Sequence, residues 1–169
     1  MIRFISACCL TLLIACGTNR EQAPASEATG DVAAADVAAD ETAIRALDST
    51  WFAAYTAGNA DGVAALYADD AVINVPGAPP ARGSAAVREA LAKDIANSSG
   101  ARITLVPDPT IEVGASGDLG WVWNTFTVKD KSGAKVDAGK YVTVVARRDG
   151  KWHIIRDIWN TNNPPAQAN

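Results

Sequence analysis

Cysteine is missing from almost the whole chain. Of 169 residues three are cysteine, and these are Cys8, Cys9 and Cys16. Everything after Cys16 must therefore be stabilised by its core and not by disulfides. Histidine is nearly missing too, since His153 stands alone. With one imidazole and no later thiol, a zinc or iron site would have to be built mostly from carboxylates, and none stands at helpful spacing. No metal and no cofactor is expected. Basic excess is also lacking: 15 Lys and Arg stand against 19 Asp and Glu, a net charge of −4. Nucleic acid is excluded as a partner on that ground. No P-loop, nucleophile elbow or metalloprotease motif occurs, and GASGDLG, 114–120, has its glycines at the wrong spacing for a dinucleotide loop. The one long apolar run, Phe4 to Ile14, is too short to span a bilayer as a helix.

That run follows Arg3 and reads as the core of a secretion signal. It ends in Leu13-Ile14-Ala15-Cys16, which resembles the lipobox of bacterial lipoproteins. The resemblance implies removal of residues 1–15, a lipid on Cys16 and attachment to a membrane by an anchor instead of a span. Residue 17 is Gly and not Asp, so in a Gram-negative cell the sorting rule of that family implies the outer membrane, facing the periplasm. Residues 16–39 read as a tether, rich in Ala, acids, Ser and Thr and without aromatics. The later part, DVAAADVAAD, has high helix propensity and could extend the first helix backward.

The domain is expected over 40–165. Ile44, Leu47, Trp51, Ala54 and Tyr55 recur at helical spacing, with Asp40 as N-cap and Gly58-Asn59 as the stop. A short helix is expected from Ala60 to Ala68, a strand over 71–75, a loop over 76–83, and a third helix capped by Ser84. After Gly100 the period changes to two. Five strands follow, divided by turns at Pro107-Asp108, Ser116-Gly117-Asp118, Lys131-Ser132-Gly133 and Asp149-Gly150. Helices first and a strand meander second make an α+β arrangement.

LYADDAVINVPGAPPARG, 66–83, resembles the front half of the NTF2-like superfamily, and GKYVTVVARRDGKWHIIRDIWNTNNPP, 139–165, resembles the end of its DUF4440 and SnoaL-like branches. The resemblance implies a cone, in which helices pack inside a strongly curved mixed sheet and enclose an apolar pocket. It does not by itself name a chemistry, because the fold hosts enzymes and non-enzymes alike. The steroid isomerases of this superfamily keep a catalytic base where this chain has Val75, an oxyanion tyrosine where it has Trp51, and a protonated acid near Tyr141. That constellation is lost. The SnoaL-type cyclases hold an acid/base aspartate on the last strand, and Asp157 occupies a matching place, without their histidine.

Asp157 sits in HIIRDIWN, 153–160, between Ile155 and Trp159. Strand alternation groups it with His153, Ile155 and Trp159 on one face. A carboxylate there is either a desolvated acid/base group or half of an ion pair with Arg147 or Arg148. Candidate ligand contacts are Trp51, Tyr55, Asn74, Trp123, Tyr141, His153 and Trp159, the two phenols because a buried hydroxyl needs a polar partner. The opposite face carries Trp152, Ile154 and Ile158, enough apolar surface to suggest a homodimer. Three functions stay open: a membrane-anchored domain binding a small apolar or partly polar molecule, an enzyme using Asp157 for proton transfer, and a non-catalytic dimerisation module.

Overall fold

A computed structural model describes residues 30–163 apart from positions 99, 108 and 115, with side chains from residue 36 onward. Cys16 and the signal sequence lie outside the described residues. Among the described residues there are three helices, α1 (Gly30–Thr56), α2 (Ala60–Ala64) and α3 (Ser84–Asn97). There are seven strands: β1 (Tyr67–Asn74), β2 (Ala81–Arg82), β3 (Arg102–Leu105), β4 (Thr110–Val113), β5 (Leu119–Lys129), β6 (Lys135–Arg148) and β7 (Lys151–Thr161). They form one sheet in the order β2-β1-β7-β6-β5-β3, with β4 also on β5. The β1–β7 pairing is parallel and the others are antiparallel. This is the expected α+β architecture. The helices cover the inner face, where Ile44, Trp51 and Tyr55 of α1 join Val122, Val145 and Ile154 of the sheet in one core.

Several local expectations are corrected. α1 begins at Gly30, inside the segment read as a tether, as its helix propensity allows. Asp40 is consequently not a cap. It lies within the helix, 7% exposed, gripped by the Arg147 guanidinium and approached by Trp152 Nε1 at 3.4 Å. Arg147 in turn lies over the Trp152 ring, 4.8 Å from its centre. α2 stops at Ala64, because Tyr67 is drawn into β1. Gly83, at φ 78°, precedes α3, and the Ser84 hydroxyl goes instead to Asp69 Oδ1 at 2.8 Å. The loop expected over 76–83 contains the short strand β2.

The largest correction concerns β7. Asp149 and Gly150, both at positive φ, form the two-residue turn from β6. Val145 then pairs with Ile154, but Val144 pairs with Arg156. Ile155 is the extra residue of a β-bulge, and a one-residue slip turns the following side chains to the other face. Trp152 and Ile154 therefore face the core together with Asp157 and Trp159, and His153 faces away from it. The outer face loses Trp152 and Ile154. It keeps Ile158 at 52% exposed, in register through Val142 with Trp123.

Close packing also fixes one glycine. Gly139 opposes Phe126, and a Cβ there would lie 2.3 Å from the Phe126 ring and 2.4 Å from the Asn160 carbonyl oxygen. Gly139→Ala is expected to destabilise the fold by about 2 kcal/mol, in the range of core overpacking. Urea denaturation would read this, and an unchanged midpoint would contradict the packing described.

Candidate functional site

Between α1, α3 and the inner sheet face lies a half-open cavity of about 490 Å³. Its wall is aromatic. Trp51 stacks on Tyr55 with centres 5.0 Å apart and meets the edge of Trp159 at 6.5 Å, while Phe52 leans on Tyr141 at 5.4 Å. Helical spacing places Trp51 and Tyr55 on the inward stripe of α1, and strand alternation places Tyr141 opposite Trp159 across β6 and β7.

Into this wall the chain sets three carboxylates each held by a phenol, and a fourth, Asp137, that accepts from the Ala138 backbone N–H. Tyr67 donates to Asp157 Oδ2 at 2.6 Å, and Thr143 donates to Asp157 Oδ1 at 3.0 Å. Tyr141 donates to Asp48, 2.9 and 2.8 Å from its two oxygens. Tyr55 donates to Asp94 Oδ2 at 2.7 Å. The direction of the first chain is fixed. An indole N–H can only donate, and Trp51 Nε1 donates to the Tyr67 hydroxyl at 2.8 Å, so that hydroxyl passes its own proton toward Asp157.

Burial dominates the electrostatics. It pushes the Asp157 carboxyl up to about 6, against the lowering effect of the Tyr67 and Thr143 hydrogen bonds and with some help from the charge of Asp48. Asp48 is also pushed up to about 6 by burial, opposed by the Tyr141 hydrogen bond and the Arg45 charge. Asp94 is raised for the same first reason. The three phenols are raised by burial and then by the adjoining carboxylates, so they keep their protons.

Of the residues named from sequence, Asp157, Trp51, Tyr55, Tyr141 and Trp159 line the cavity. Three do not. Trp123 is 43% exposed on the outer face, because β5 turns Val122, Asn124 and Phe126 inward. His153 is turned away by the bulge and lies beside Tyr67, Asp69 and Arg148 in a shallower cleft, its Nδ1 buried without a partner. Asn74 is half-buried beside the site and donates to the Asp157 backbone oxygen at 3.4 Å. The ion-pair alternative for Asp157 also falls, since Arg147 is taken by Asp40 and Arg148 stands 3.6 Å from Asp70.

Sequence reasoning missed Asp48, Asp94, Tyr67 and Thr143. Asp48 had a legible signal: it falls between Ile44 and Trp51 on the apolar stripe of α1, where an acid is out of place. Among the described residues no group of three His, Cys, Asp or Glu is arranged to hold a metal ion.

The curved mixed sheet around helices, with a cavity opening between them, is the NTF2-like fold. It matches the solved structure of an NTF2-like protein with a cystatin-like fold from Novosphingobium aromaticivorans, at 21% identity over 83% of this chain and 94% of that one, with a TM-score of 0.68. An NTF2-like protein from Pseudomonas putida KT2440 matches at 22% identity over 76% and 91%, TM-score 0.65. A ketosteroid isomerase-like protein from Erwinia carotovora atroseptica matches at 22% identity over 74% and 98%, TM-score 0.57. At these identities the likeness is one of fold. Residues 49–154 match the SnoaL-like domain, and the chain belongs to that family. No curated protein matches it.

The raised carboxyls set a pH dependence. Asp157 ionises near 3.8 when free and near 6 in the fold, so between those values the folded state holds more protons. Its contribution to stability is full below the lower value and is lost as pH rises through the upper one. Asp157→Asn removes that loss. Relative to wild type, the variant is expected to gain about 3 kcal/mol on going from acid to neutral pH. Thermal melts across that window test it. A large drop in the variant's midpoint above neutral pH would mean that Asp157 serves the architecture.

Proposed function

We propose that the domain binds a small, largely apolar molecule bearing a polar group, and that it does so on a cell-envelope membrane. The observation that supports binding is the cavity itself. An aromatic wall with a few converging polar groups is the usual form of a small-molecule site. The support for anchoring is the Leu13-Ile14-Ala15-Cys16 sequence after a short apolar run. The intact mass of the membrane-bound chain is expected to show a diacylglyceryl cysteine at its start, and Cys16→Ser to release it. A soluble wild type cut elsewhere would contradict the anchor.

Binding is tested by the fluorescence of Trp51 and Trp159. Aromatic molecules of one to four rings are expected to quench it saturably at micromolar concentration, and Trp159→Ala to weaken that response by about tenfold. Quenching that never saturates would count against a binding site.

A second reading has its own support: a carboxylate, facing a cavity, unpaired with a cation and titrating near neutrality. A general base works best near the operating pH. Asp157 would then move a proton on the bound molecule, as the resemblance to the SnoaL-type cyclases and to the DUF4440 branch at the chain's end suggests. Asp157→Asn should keep binding and remove turnover. The stripe of Trp123, Val142 and Ile158 supports a further proposal, a homodimer through the outer sheet face. Sedimentation at micromolar concentration is expected to give a dimer, and Ile158→Glu a monomer.

A further inference from the structure

The polarity of the cavity is one-sided. Among the described residues its charged lining is Asp48, Asp94, Asp137 and Asp157, with no lysine, arginine or histidine. Arg45 acts on Asp48 from the exposed side of α1 and is not part of the lining. The donors set among these acids are turned to the protein. Tyr55 and Tyr141 donate hydrogen bonds to Asp94 and Asp48, and Thr143 donates to Asp157. Around these acids the cavity presents carboxylate oxygens and the faces and edges of Trp51, Phe52, Phe126 and Trp159, with the neutral Asn97, Ser98, Thr161 and Asn163 also in the lining. These carboxylates have hydroxyl donors but no cation in the lining, so the guest that fits best is one that brings positive charge.

We propose that the cavity selects a cationic amphiphile: a protonated amine on an apolar, aromatic-sized body. This rests on the ligand-binding reading and names its ligand class. The ammonium sits between Asp157 and Asp48, where it supplies the positive charge that the lining lacks and adds hydrogen bonds to those the carboxylates already accept. The rings around it attract a cation through their π faces. The apolar body fills the space toward Phe126 and α3. A neutral guest of the same shape would leave two buried like charges facing each other, and an anion would add a third.

Charge at the site comes from every side. α1 brings Asp48 and Tyr55, α3 brings Asp94, β1 brings Tyr67, β6 brings Asp137 and Tyr141, and β7 brings Asp157. With the phenols protonated, only the carboxylates change charge between acid and neutral pH. Affinity for a cation should therefore rise with pH over that range, while affinity for a neutral guest should not.

Calorimetric titration of the purified chain with naphthylmethylamine, naphthylmethanol and naphthoic acid separates the possibilities, since the three share a body and differ in charge. At about pH 8 the amine is expected to bind about tenfold or more tightly than the alcohol, and the acid more weakly than either. The advantage of the amine should shrink by about pH 5 as Asp48 and Asp157 take up protons. Asp48→Asn with Asp157→Asn should remove the amine's advantage over the alcohol, with a cooperative thermal melt showing that the double variant is folded. If the alcohol or the acid binds as tightly as the amine, the cation proposal is overturned and the binding site stands. If none of the three binds, the binding reading falls with it.

Discussion

The Asp157 carboxylate is the point at which four elements meet. It stands on β7, accepts from Tyr67 on β1 and Thr143 on β6, and is joined through Tyr67 to Trp51 on α1. Burying a carboxylate costs several kcal/mol in any protein, roughly, unless its lone pairs are met. Here they are met by hydroxyls and not by a guanidinium, so the negative charge is held in place without being neutralised. The rest of the inner face follows from that choice. Tyr67 must reach across from β1, which ends α2 early. Trp51 must turn its N–H toward Tyr67, which sets the plane on which Tyr55 stacks.

Arg147 meanwhile does a separate job away from the cavity. Arg147 ties β6 to α1 through Asp40, accompanied by Trp152, and donates to the Gly117 carbonyl at 3.0 Å. Asp40 is held by a guanidinium, whereas Asp48, Asp94 and Asp157 are held by phenols. This segregation cannot be seen in the net charge, which is mild, nor in the composition of any one segment. It arises because the inward stripe of α1 carries one acid at each level, Asp40 and Asp48, two helical turns apart, and the sheet answers one with a guanidinium and the other with a phenol.

Much of the fold was legible in the sequence because its signals are local. Periods of 3.6 and 2 located the body of α1, α3 and the strands from β3 onward, and Ser116-Gly117-Asp118, Lys131-Ser132-Gly133 and Asp149-Gly150 fall between strands as expected. The candidate site was only half legible. Asp157, Tyr55, Tyr141 and Trp159 could be named because each is a polar or aromatic residue on a periodic face. Asp48 could have been named on the same ground. Tyr67 and Thr143 could not, since what brings them to Asp157 is pairing between strands distant in sequence. His153 and Trp152 were assigned to the wrong faces because strict alternation was carried through Ile155, and nothing in HIIRDIWN marks where the alternation breaks. Trp123 fails for a different reason: its strand alternates as expected, but aromatic content alone does not say which side is in.

The bulge at Ile155 makes chain length a chemical variable. Each side of β7 beyond the bulge is assigned by counting residues from the Asp149-Gly150 turn, and one residue more or less exchanges the two sides. In this chain the count delivers an acid to the cavity and keeps an imidazole out of it. A relative with the same residues and a bulge displaced toward the turn, ahead of position 153, would deliver the imidazole to the cavity side together with the acid. Two sequences that align without a gap over this strand can therefore present different groups to their ligands, and two that need a gap can present the same one.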